Sequence, residues 1–178
     1  MIWYARKAGV RMKIRNMTRC AVFAAVIAVC AWLSIPLGEH AVSLQTFAVL
    51  LTLGCLGGKA GCAAIGVYLL LGAVGIPVFT GFRGGFGMLL GPSGGYLWGF
   101  LLMGLVYWLL ESRLPVWAAM VLAMMSCYLC ATFWYGLLYT PNALGQAFLI
   151  CVLPYLLPDS IKLFFALTLA KRLKPLMV

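Results

Sequence analysis

Apolar residues fall in six runs of near spanning length, separated by short turns that carry the polar residues, glycines and prolines. A helix needs about 20 residues to cross about 30 Å of hydrocarbon. The pattern predicts helices over 18–35, 43–56, 60–74, 94–110 and 116–138, with a sixth unit over 143–172. Pro36 stops the first run, and 36–43 reads as an outer loop with Glu39 and His40 as a solvated pair. Gly57-Gly58-Lys59, Glu111 to Pro115 and Thr140-Pro-Asn142 read as turns. Pro154 and Pro158 interrupt the sixth unit, since proline breaks the helical hydrogen-bond ladder. That predicts a partial helix, a break, and a helix starting near Asp159 as its N-cap.

Residues 75–100, GIPVFTGFRGGFGMLLGPSGGYLWGF, fit none of these periods. Dense glycine and two prolines rule out a plain spanning helix. In lipid, irregular backbone survives only where protein buries it or where it lines a cavity. The apolar content of the stretch also argues against a fully solvated loop. It reads as a lid or re-entrant loop over a ligand site.

Composition sharpens the class. The chain of 178 residues is 65% hydrophobic and only 9% charged, which predicts an all-α integral membrane protein with six transmembrane helices. Its domains are a basic segment over 1–17 and a single membrane domain over 18–174. The formal charge of +10 is not a nucleic-acid signature, because of where the cations stand. With an inner N-terminus and six spans, Arg6, Lys7, Arg11, Lys13, Arg15, Arg19, Lys59, Arg113, Lys171, Arg172 and Lys174 all face inward. The positive-inside rule then predicts cytoplasmic termini and an outward-facing glycine-rich lid. The basic first 19 residues do not read as a cleavable signal.

Two charges fall inside the last unit. Asp159 and Lys162 stand three apart and share a helix face. Counted from Lys171 at the inner interface, they lie about 18 Å and about 14 Å up the helix, near mid-membrane. Charges at that depth are costly and usually mark a site, although a self-satisfied pair that only locks the helix has the same sequence. Arg83 is the sole cation on the outer side, and its fork suits a carboxylate. Tyr96 offers a ring to cap a pocket and a hydroxyl to donate. Gln45 and Thr46 open the second span and want partners at membrane depth. Ala21 with Ala25, and Ala24 with Ala28, have the spacing that lets helices approach closely. That spacing serves docking of another helix and packing within the chain equally well.

Other chemistry is absent from the pattern. Gly54-Cys-Leu-Gly-Gly58-Lys59-Ala60 is one residue short of a P-loop and has alanine where magnesium needs a hydroxyl. The seven cysteines, including Cys127-Tyr-Leu-Cys130, lie in or beside apolar runs and read as small buried hydrophobes. No metal cluster or catalytic triad is expected. A membrane enzyme is disfavoured.

Val42-Ser-Leu-Gln-Thr46, Tyr68-Leu-Leu-Leu-Gly-Ala-Val-Gly-Ile-Pro-Val-Phe79, Gly91-Pro-Ser-Gly-Gly-Tyr96 and Pro158-Asp-Ser-Ile-Lys162 occur in this order, followed by a basic tail. Together they resemble the BioY family, the biotin-binding S components of energy-coupling-factor (ECF) transporters, over about residues 18–174. Ser93 stands where threonine is common there, and Arg83 where a small or polar residue is common. The resemblance implies a six-helix S-component fold in a bacterial inner membrane, with biotin captured near the outer face and no cofactor. The resemblance places Asp159 and Lys162 at the ligand, with the ureido ring there and the valerate under the loop; the candidate ligand contacts taken together are Asp159, Lys162, Tyr96, Arg83, Gln45, Phe79, Gly85 and Tyr68. It also implies docking of a transmembrane coupling subunit on Ala21, Ala24, Ala25 and Ala28. Two ATPase subunits would supply the energy, and toppling of the S component would carry the ligand inward. A homo-oligomer is expected if the chain works alone. Two alternatives stay open: an S component for another vitamin, and a non-transport membrane interaction protein.

Overall fold

The structure, a computed structural model, describes the backbone of residues 2–37, 40–139 and 144–177, and the side chains of 14–35, 42–139 and 145–176. Among the described residues the chain forms α1 (Ile2–Trp32), β1 (Ser34–Leu37), β2 (His40–Ser43), α2 (Gln45–Leu56), α3 (Gly58–Ala73), α4 (Phe86–Leu90), α5 (Gly94–Leu110), α6 (Val116–Leu138), α7 (Leu144–Cys151) and α8 (Leu153–Leu173), then a 3-10 turn over Lys174–Met177. Helices α5 and α6 have the predicted bounds. The basic lead is continuous with the first span in α1, since no proline separates them.

Three stretches are long and apolar enough to cross a membrane: Ile14–Trp32, Val116–Leu138 and Gly145–Leu176. Helices α2, α3 and α5 are shorter and apolar. The 12 residues of α2 rise only about 18 Å. Nine of them are buried, because α1, α3 and α8 surround the helix. A helix apolar on all sides belongs in such a centre. Helix α1 packs on α2 and α3, α3 on α5, α5 on α6, and α7 on both α6 and α8.

Two expectations are corrected. The loop over 36–43 is an antiparallel hairpin, pairing Ser34 with Ser43 and Ile35 with Val42. The residue before a proline avoids the helical region, so Ile35 goes extended. Pro36 is tolerated because both strands of a hairpin are edges. Glu39 and the side chain of His40 lie outside the described residues, as does Thr140-Pro-Asn142.

The second correction concerns the last unit. Its break is at Val152, ahead of both prolines. Pro154 sits in the first turn of α8 and Pro158 lies within the helix. Proline costs nothing in a first turn, where the missing N–H has no intrahelical partner. Asp159 is consequently a residue of the helix body and caps nothing. Its carboxylate is left for side chains.

Candidate functional site

The hairpin, the N-terminal ends of α2, α5 and α8, and residues 79–88 meet at one end of the bundle around a cavity of about 420 Å³. Small-molecule sites span roughly 300–1,000 Å³. The α8 wall carries Tyr155, Asp159 and Lys162. Asp159 is 2% and Lys162 8% exposed. The Lys162 ammonium donates to Asp159 Oδ1 at 2.7 Å. The Tyr128 hydroxyl, from α6, donates to Oδ2 at 2.7 Å. Both carboxylate oxygens are therefore engaged, which makes burial of the charge tolerable. Each oxygen keeps a further lone pair and the ammonium keeps further hydrogens. The wall can thus offer acceptors and donors side by side to a neutral polar ligand.

The glycine-rich stretch forms another part of the wall. Phe79, Thr80, Gly81, Arg83 and Met88 line the cavity from it. The lid is irregular over 74–85, then makes the short helix α4. It is tied down at several points. The Phe79 N–H donates to the Arg83 carbonyl at 2.8 Å, closing a tight loop. A Cβ on Gly72 of α3 would overlap the Phe79 ring, so glycine there is what lets the ring seat against α3. At the loop's tip Phe82, at φ +57, stacks on Trp32 with ring centroids 4.9 Å apart. The Trp32 indole N–H donates to the Pro77 carbonyl at 2.9 Å. The C-terminal end of α1 thus holds the lid.

A polar relay lies beneath. Gln45 Nε2 donates to the Tyr68 hydroxyl at 2.8 Å, Tyr68 donates to the Val78 carbonyl at 3.2 Å, and Thr80 Oγ1 donates to Gln45 Oε1 at 3.3 Å. Arg83 is exposed at the cavity. The one ion pair among the described residues is that of Asp159 with Lys162, so Arg83's charge is not neutralised within them.

Of the residues that the sequence singled out, Asp159, Lys162, Tyr96, Arg83, Gln45 and Phe79 come together on this cavity. Tyr68 and Gly85 do not line it. Tyr68 is fully buried one layer behind. Gly85, at φ +101, turns the chain into α4 while its N–H donates to the Gly72 carbonyl at 2.7 Å. Tyr96 contributes its ring beside Tyr155, with centroids 5.6 Å apart. Its hydroxyl donates to the Cys151 carbonyl, so the proton expected for a ligand is spent on joining α5 to the end of α7. Tyr128 was missed. Its signal is a phenol midway along an apolar span, overshadowed by the cysteines on either side.

The four alanines of α1 separate. Ala24 and Ala28 are buried against the bundle, whereas Ala21 and Ala25 are exposed. Successive residues turn about 100°, so the first pair falls inside the buried arc and the second outside it. Cys127-x-x-Cys130 lies within α6, with the Cys127 thiol directed at the Tyr96 carbonyl 4.0 Å away. Among the described residues no cluster of His, Cys, Asp and Glu can hold a metal.

The model of the BioY family matches residues 5–178. The chain is 39% identical over 169 residues to the biotin transporter BioY of Thermotoga maritima, covering 93% of this chain and 99% of that protein. It is 34% identical over 163 residues to a probable biotin transporter BioY of Pyrococcus horikoshii, covering 92% and 98%. A crystal structure of the S-component for biotin from an ECF-type ABC transporter superposes with a TM-score of 0.79 at 26% identity, over 93% of both chains. The chain belongs to the BioY family.

Proposed function

We propose that the chain takes up biotin, as the substrate-binding membrane component of an ECF-type transporter. The observation that carries the reading is the buried Asp159–Lys162 pair on the wall of a cavity of small-molecule size. Biotin suits both ends of such a cavity. Its ureido ring presents N–H donors and a carbonyl acceptor, which match the carboxylate and the ammonium. Its valerate carboxylate matches the Arg83 guanidinium, with which a bidentate contact is possible.

The protein sits in the cell membrane with both termini cytoplasmic. Support comes from Arg15, Arg19, Lys59, Arg113, Lys171 and Arg172, which stand toward the helix ends away from the cavity and suit the anionic inner leaflet. Ligand is captured from outside, under the lid. Ala21 and Ala25 form the part of the small-residue face available to a transmembrane coupling subunit, which two ATPase subunits drive. The role is that of a transport subunit rather than an enzyme, and it uses no cofactor.

Biotin titration of the detergent-purified chain, by calorimetry, tests this. Tight binding by the wild type, lost in Asp159→Asn and in Lys162→Ala, is the expected outcome. Tight binding that survives both substitutions reduces the pair to a structural lock. No biotin binding by folded protein, with another vitamin retained, removes biotin as the ligand.

A further inference from the structure

Among the described residues, Gln45 is the one carboxamide on the cavity wall. A carboxamide is a donor at one end and an acceptor at the other, and turning it over reverses what a ligand meets. What holds it is therefore a question of specificity, and the hydrogen-bond relay answers it.

Tyr68 is 0% exposed and does not line the cavity, so its hydroxyl cannot use bulk water as a partner, and Gln45 is 3% exposed. The Tyr68 hydroxyl has a single proton. The Val78 carbonyl, 3.2 Å away, can only accept, so it takes that proton. Toward Gln45, at 2.8 Å, the hydroxyl is then left as an acceptor, and Gln45 must present its NH₂. The carboxamide oxygen is thereby turned to the other side. There it accepts from the Thr80 hydroxyl at 3.3 Å. Thr80 lines the cavity and Tyr68 does not. The oxygen end thus lies on the ligand's side, with a second lone pair to use. The opposite orientation would set an oxygen against an oxygen whose proton is committed, and a buried unmade hydrogen bond is expensive.

We propose that Tyr68 is a positioning residue: it orients the Gln45 carboxamide so that the cavity meets an acceptor, which selects a ligand carrying an N–H at that point. The inference rests on the reading of the ligand as biotin. It assigns one ureido N–H to Gln45 and leaves the other for Asp159. It also excludes the valerate from the neighbourhood of Gln45, where acceptor would face acceptor.

The test uses the full-length chain and three ligands: biotin, and the two cyclic carbamates in which one or the other ureido N–H is replaced by oxygen. The exchange turns a donor into an acceptor at nearly constant shape. Wild type is expected to bind both carbamates at least about tenfold more weakly than biotin, the cost of one unmade hydrogen bond. In Tyr68→Phe the carboxamide is free to turn, so the ratio of biotin to carbamate affinity should fall for one carbamate and stay unchanged for the other. Gln45→Met, which leaves Tyr68 its bond to Val78, should abolish discrimination against that same carbamate. Loss of lid support alone would weaken all three ligands by one factor, and unchanged ratios in Tyr68→Phe overturn the proposal. Discrimination that persists in Gln45→Met overturns it even if Tyr68→Phe does not fold. Wild type that fails to bind biotin at all refutes the reading of the ligand instead, and this inference with it.

Discussion

Lys162→Met removes the ammonium and keeps most of the side chain's length. Asp159 is then left 2% exposed, with the Tyr128 hydroxyl as its remaining partner from the described bonds. Breaking a buried pair in this way costs about 3–5 kcal/mol, because an uncompensated charge stays behind. For a chain of this size the loss corresponds to a fall in melting temperature on the order of 10 °C. The double variant Asp159→Asn/Lys162→Met should recover most of it, since no charge then remains and the asparagine oxygen can still accept from Tyr128. Both variants should lose biotin. Melting is read by tryptophan emission, for which the chain has six indoles, and affinity by calorimetry. The reasoning fails if Lys162→Met melts with the wild type, for the pair would then not be desolvated. It fails equally if the double variant melts no higher than the single one, or if it binds biotin tightly.

Two further predictions concern α1 and the lid. Ala24→Leu overpacks the buried face of α1 and should cost about 1–3 kcal/mol of stability in the isolated chain. Ala25→Leu, on the exposed face, should change stability by less than about 0.5 kcal/mol yet prevent co-purification with a coupling subunit. Equal melting of the two variants refutes that division of the helix. Arg83→Ala should weaken biotin by about tenfold or more, the worth of a hydrogen bond between charged groups. The neutral amide of biotin should lose much less, and equal losses, measured by titration, place the carboxylate elsewhere.

Much of this protein is legible along the chain. Six apolar runs, with cations gathered at alternate turns, dictate a membrane bundle, because lipid admits apolar helices and little else. The glycine-rich stretch announces itself by its glycines and prolines; the structure makes its first part an irregular wall of the cavity, while its last seven residues open α5 as the 94–110 run predicts. Asp159 and Lys162 are conspicuous because a charge in an apolar run is too costly to be incidental. Their pairing follows from i, i+3 spacing alone.

What tertiary structure decided is which polar atom meets which. Tyr128 and Asp159 are 31 residues apart, and Tyr68 and Gln45 are 23 apart. Only the packing of α6 on α8 and of α3 on α2 brings them within 3 Å. The two alanine pairs of α1 have the same spacing, and only the neighbours of α1 decide that one pair is buried and the other exposed. Tyr96 and Tyr68 are alike as phenols, but one spends its proton on Cys151 and the other on Val78. A hydroxyl's single proton is assigned by the acceptor that folding sets beside it, and no local pattern of residues contains that acceptor.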